Sequence, residues 1–297
     1  MQEPVETVKY TQRRALVSIT ALTLAHVTVL AGVFRKYQIE FLALPEGFRF
    51  SDLLEGIVTL LLAQAYDFLF SCTESSLLSS QLHELFKIVM VLAQGGHIMV
   101  NPLDDWYTSL QVPAEQYRTL YWQHEYFCHR LFAFGVFGML TVSASCSGAP
   151  SSLSLDWTVL AMAVLQGIVV GFLGIGTRTV LATLPFCIII LFNWMHRKNA
   201  GLIALHAAIV AITMITIHVV WFVKNEGSLP TFDDLASASS SSQMIDQSSQ
   251  IAKEFLSSTM LAVWSAPVTL SVVTMLMWTL IWRLLRWPNV TTTIKTD

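Results

Sequence analysis

The chain of 297 residues is 54% hydrophobic and only 12% charged, with a mean hydropathy of +0.58. That charged fraction is about half that of an ordinary soluble domain, so the composition points to a membrane protein. A formal charge of −3 leaves no basic footprint, which excludes nucleic acid as a partner. Cys72, Cys128, Cys146 and Cys187 are scattered without CxxC spacing; they read as apolar fillers, not a disulfide framework.

Residues 1–14, "MQEPVETVKYTQRR", form a polar N-terminal segment. The first apolar run lacks a small-residue cleavage site, which predicts a retained helix in place of a signal peptide. Eight apolar segments follow, at 15–34, 53–70, 85–100, 127–145, 157–175, 179–194, 202–223 and 255–285. A span needs about 20 apolar residues to cross about 30 Å of hydrocarbon. The third segment is short and opens with His83, Glu84 and Lys87, so it is expected to be half-buried or re-entrant. Continuous apolar runs predict helices, since barrel strands alternate over about ten residues. The fold class is therefore all-α, a polytopic transmembrane bundle of seven or eight spans. The bundle covers 15–223, a flexible Ser-rich loop 224–254, a final transmembrane helix 255–285 and a polar tail 286–297.

Pro185 and Pro267 fall inside spans, where they kink a helix or are accommodated by neighbours. Gly167-x-x-x-Gly171 places two glycines on one face. Packing within the bundle is the preferred use of that face, and a homo-oligomer contact the other. Lys and Arg are shared almost evenly between the two sides, and only Arg283 and Arg286 favour a cytosolic C-terminus. Asn289 opens a glycosylation sequon that such an orientation would leave unused. "GFLGIGTR" ends an apolar span and lacks the Lys-Ser or Lys-Thr ending of a phosphate loop. No internal repeat of the kind many transporters carry is visible.

Ionisable groups within spans are costly, and each is a candidate for function. His26 lies in the first span, Asp67 in the second, and His206 and His218 in the seventh. Gln64 and His26 are the expected partners of Asp67. The densest polar stretch is "YWQHEYFCHR", residues 121–130, at the mouth of the fourth span. The end of the third segment, the start of the fourth and the end of the seventh must face one side, so His97, Asp104, Asp105, His124, Glu125 and His218 can gather there. In an α-helix Glu125 and His129 share a face, whereas His124 stands about 140° from His129, outside a common ligand set.

Two readings of this stretch compete. In the first, His124, Glu125 and His129 are catalytic, or His97, Glu125, His129 and His218 supply metal ligands suited to zinc or non-haem iron. In the second, which is preferred, Trp122 anchors at headgroup depth and Glu125 complements the helix N-terminus in its first turn. His129 then points into the bundle toward the third or seventh span. No HExxH, HxxxH or HxxEH pattern occurs in any span. A haem reading fails because His206 and His218, twelve residues apart on one helix, are separated by about 18 Å.

The chain resembles the transmembrane protein 45 family over roughly its C-terminal two thirds. The likeness rests on Trp122, Gln123 and His124 opening a span, with Met139, Leu140 and Thr141 further along it. Asp156, Ala163, Val164 and Gly167 match a second span, and Met260, Trp264, Arg283 and Arg286 the last. The family's Gly-His-x-x-Pro-Gly element is missing, Gln166 replaces its acidic residue before glycine, and "GIGTR" stands where it has His-x-His. The resemblance implies a seven-helix bundle in endomembranes or the plasma membrane, without an established reaction. Trp122, Gln123, His124 and Asp156 carry over without assigned roles.

The leading expectation is thus a multi-span endomembrane protein with a structural, regulatory or trafficking role, in contact with membrane lipids and lacking a catalytic motif. No cofactor is predicted. The alternatives are a metal-dependent or lipid-modifying membrane enzyme using the His/Glu cluster and a divalent metal, and a proton-coupled or small-solute transporter using Asp67, His206 and His218.

Overall fold

A computed structural model describes residues 5–32, 50–109, 120, 122–146, 157–196, 201–225 and 227. The final span expected at 255–285, the tail, most of the Ser-rich loop and Asp156 lie outside the described residues. Among the described residues the fold is all-helical: α1 (Val5–Gly32), α2 (Phe50–Phe70), α3 (Leu77–Ser109), a π-helical segment (Trp122–Cys128) continuing into α4 (His129–Cys146), α5 (Trp157–Gly176), α6 (Val180–His196) and α7 (Leu202–Lys224).

Two boundaries differ from the sequence expectation. The helix α1 starts at Val5, so most of the polar N-terminal segment is helical. It follows Pro4, and "VETVKYTQRR" holds no glycine or proline to stop a helix. The third apolar segment is part of a much longer helix than its apolar run: α3 runs for 33 residues, about 50 Å. The apolar run marks only its middle, and polar residues extend it at both ends. Ser76 sets its start, its Oγ accepting from the Ser79 backbone N–H at 3.2 Å as an N-cap does.

Side-chain pairs fix the helix directions. Arg14 donates to Ser71 and His26 meets Tyr66 edge-on, so α1 and α2 are antiparallel. Asp67 pairs with Lys87 and Glu55 with His97, so α2 and α3 are antiparallel too. The α3–α4 contact is close because it uses glycine: a Cβ on Gly135 would lie 2.6 Å from the Phe86 carbonyl oxygen and 2.7 Å from Met90 Cβ. Gly167 meets Thr213 and Gly171 meets Ile217, which makes α5 and α7 parallel. The glycine face that was also open to a homo-oligomer is filled by α7 of the same chain.

The α5–α6 turn closes as a Schellman motif, with the Thr179 N–H on the Gly174 carbonyl at 2.8 Å and Arg178 N–H on Ile175 at 3.2 Å. Arg178 occupies the left-handed position at φ 55°. The stretch "GFLGIGTR" is thus a helix end.

Tyr66, Met90, Met139, Trp194, Leu205 and Met214 are fully buried in the core. The outside is apolar as well: Leu60, Leu61, Leu92, Leu181, Ile188 and Phe192 are 55–68% exposed. In water so much apolar surface would drive association. Three helical stretches, Trp122–Cys146, Trp157–Gly176 and Leu202–Lys224, are long and apolar enough to cross a membrane, and Val180–His196 is a shorter apolar helix. These are the features of a membrane protein.

Candidate metal centre

Three histidines converge between α3 and the mouth of α4. His97 Nε2 stands 2.9 Å from His124 Nε2 and 2.9 Å from His129 Nε2. One ring nitrogen from each lies within 4.8 Å of the others. His97 and His124 are buried at 7% and 2% exposure, while His129 is partly open.

The π-helix makes this possible, and it corrects the expectation that His124 cannot join His129. At 100° per residue an α-helix separates the two by about 140°. The seven residues Trp122–Cys128 are instead π-helical. With about 4.4 residues per turn, five steps come to about 410°, which leaves the two residues about 50° apart. The wider turn carries His124 onto the face of His129, opposite His97 on α3. Gly96 clears the approach from the α3 side, with Cys128 Sγ only 3.2 Å from where its Cβ would be.

His97 has a partner behind it. Its Nδ1 lies 3.1 Å from Glu55 Oε2 on α2, and Gln94 donates to the same oxygen at 3.0 Å. A carboxylate only accepts, so in the neutral ring the proton sits on Nδ1 and Nε2 turns a lone pair toward His124 and His129. A carboxylate behind a histidine is the arrangement that orients a metal ligand.

The donor set fits a transition-metal ion. Ring nitrogens about 2.0–2.1 Å from a tetrahedral ion stand about 3.3–3.4 Å apart, a few tenths of an ångström from the two 2.9 Å spacings to His97. A single Nε2 lone pair cannot form two linear hydrogen bonds to neighbours on either side. One cation between three lone pairs satisfies all of them.

The remaining candidates lie elsewhere. His218, also considered as a ligand, is bound through Nε2 to the Gly171 carbonyl at 3.2 Å and is not among the three clustered histidines. The Glu125 backbone is in the π-helix, and its side chain lies outside the described residues, as do those of Asp104 and Asp105. His26 is held by the Leu22 carbonyl at 2.9 Å, and His206 is fully buried on α7.

Asp67 takes neither expected partner. It receives His83 Nε2 at 3.0 Å and Lys87 Nζ on both oxygens at 3.0 Å, while Gln64 is exposed. Both partners come from α3, His83 just before the apolar run 85–100 and Lys87 within it. Glu55 escaped the sequence reading although it carries the same signal as Asp67, a carboxylate inside the run 53–70.

Comparison with family models, with curated proteins and with solved structures finds no match.

Proposed function

We propose that this chain is a multi-pass membrane protein of seven or eight spans, in endomembranes or the plasma membrane, that works as a metal-dependent membrane enzyme. In this reading His97, His124 and His129 hold one divalent ion of the zinc class, and Glu55 orients His97. The observation that carries it is the convergence of three imidazole nitrogens with a carboxylate behind one of them. Three protein ligands leave a fourth position for water or substrate, the pattern of catalytic zinc sites and not of closed structural ones. A divalent ion there supplies a Lewis acid and an acidified water. The likeness to the transmembrane protein 45 family supports the reading in one respect: its Trp-Gln-His element supplies His124. A purely structural or trafficking role was expected from the lack of a linear motif, but that lack has a cause, since the ligands come from two helices and one of them needs a π-turn.

Metal analysis of the purified full-length protein tests this. About one equivalent of zinc, or of cobalt after exchange, is expected in the wild type, falling at least tenfold in His124→Ala while Asp67→Asn retains it. Equal, negligible metal in all three proteins would refute the reading.

A further inference from the structure

We infer that the substrate of this centre is the acyl carbonyl of a membrane lipid, an ester or an amide, cleaved by water. The inference rests on the metal-site reading and adds to it the depth of the site.

Depth is set by two helices independently. The candidate span Trp122–Cys146 has 25 residues, about 37 Å, and exceeds the hydrocarbon core by about 7 Å. Trp122 at its outer end is 44% exposed, as an indole at headgroup level is. His124 and His129 follow two and seven residues later, roughly 3–10 Å further in. On α3 the sequence Asp104-Asp105-Trp106 lies seven to nine residues beyond His97, roughly 10–13 Å toward the same side. The interfacial layer is about 5–7 Å thick on each side. The three imidazoles therefore stand at its inner edge, where acyl chains join their backbone through carbonyl groups. Lipid phosphates and headgroups lie further out, and chain ends about 15 Å deeper.

His97 and His124 are buried but His129 is partly open. Phe127, 45% exposed, stacks on Trp122 with centroids 5.7 Å apart, so both aromatic rings stand at the outer end of this span.

The reaction balances without an oxidant. A water oxygen bonds to the carbonyl carbon, the bond from that carbon to the ester oxygen or amide nitrogen breaks, and a water proton goes to the leaving atom. The products are a fatty acid and an alcohol or amine. The metal's contribution is to polarise the water and the carbonyl.

The test uses the full-length, zinc-loaded protein in vesicles of dioleoylphosphatidylcholine, the ester arm, and in the same vesicles containing N-oleoylsphingosine, the amide arm. Metal content is measured alongside. Free oleate from either arm, falling roughly a hundredfold on chelation and returning with zinc, supports the inference and names the bond. Metal retained with no oleate from either arm, choline or phosphocholine released instead, or oleate release indifferent to chelation would each overturn it while leaving the metal site standing. Absence of metal would overturn both. A second readout needs no turnover: cobalt-loaded protein should shorten carbon-13 relaxation of the lipid carbonyls more than that of choline methyls or chain-terminal methyls. The strongest effect at either of the other two places would also overturn the inference.

Discussion

The ring nitrogens of His97 and His124 meet at 2.9 Å although 27 residues separate them, and they do so because the helix that carries His124 is wound as a π-helix. A seven-residue π-turn is unfavourable in itself and is sustained by what it positions. Chelating the metal should therefore loosen it. In hydrogen exchange, amides of 122–128 should exchange faster after chelation, while those of α4 beyond Ala133 stay protected. Unchanged protection of 122–128 would mean that packing alone holds the turn.

Glu55 acts on the site through His97. Glu55→Gln keeps the shape but replaces a charge-assisted bond with a neutral one, and Glu55→Ala removes it. Metal affinity should fall about 10-fold to 100-fold, with Ala the weaker binder, as is usual when the group behind a metal-ligating histidine is lost. A competition titration against a chromophoric chelator measures this. Equal affinity in all three proteins would exclude an orienting role.

The Asp67 cluster is a second polar knot on the α2–α3 seam, and it is structural. His83 and His97 are 14 residues apart on α3, about 21 Å, so the two knots are separate. Asp67→Ala strands the buried His83, while Lys87 keeps Glu84 at 2.8 Å, and should cost about 1–2 kcal/mol. A lower thermal midpoint with unchanged metal stoichiometry is expected; metal loss would show that the two knots are coupled.

Gly135→Ala would drive a methyl against the Phe86 carbonyl oxygen, a backbone atom that cannot turn aside. It should destabilise the bundle by about 1–3 kcal/mol through overpacking. Gly95→Ala on α3 meets nothing within 4 Å and should be neutral, or more stable by up to about 1 kcal/mol. Thermal unfolding in detergent compares them, and a Gly135→Ala protein as stable as wild type would contradict the α3–α4 packing.

The described helices were legible in the sequence because each carries an apolar run, and the polar extensions of α1 and α3 were not, because a polar helical stretch carries no apolar signal. His97, His124 and His129 could all be named as candidates from their places at the end of the third segment and the mouth of the fourth. His124 was left out of the metal-ligand set because an α-helix puts it about 140° from His129, and no composition rule announces a π-turn. Glu55 was readable as an intramembrane carboxylate. Its partnership with His97 depends on the α2–α3 register, which spacing within one helix does not encode. Asp67 shows the same limit, since its pairing with His83 and Lys87 also depends on the α2–α3 register.

The central claim is that three imidazoles hold one metal ion, and X-ray absorption at the metal edge tests it most directly. The wild type should show one metal per chain with a first shell of nitrogen and oxygen at about 2.0–2.1 Å and the outer-shell scattering of three imidazole rings. That signal should disappear in His97→Ala. A shell dominated by sulfur at about 2.3 Å, or a spectrum unchanged in His97→Ala, would place the metal elsewhere and contradict the account.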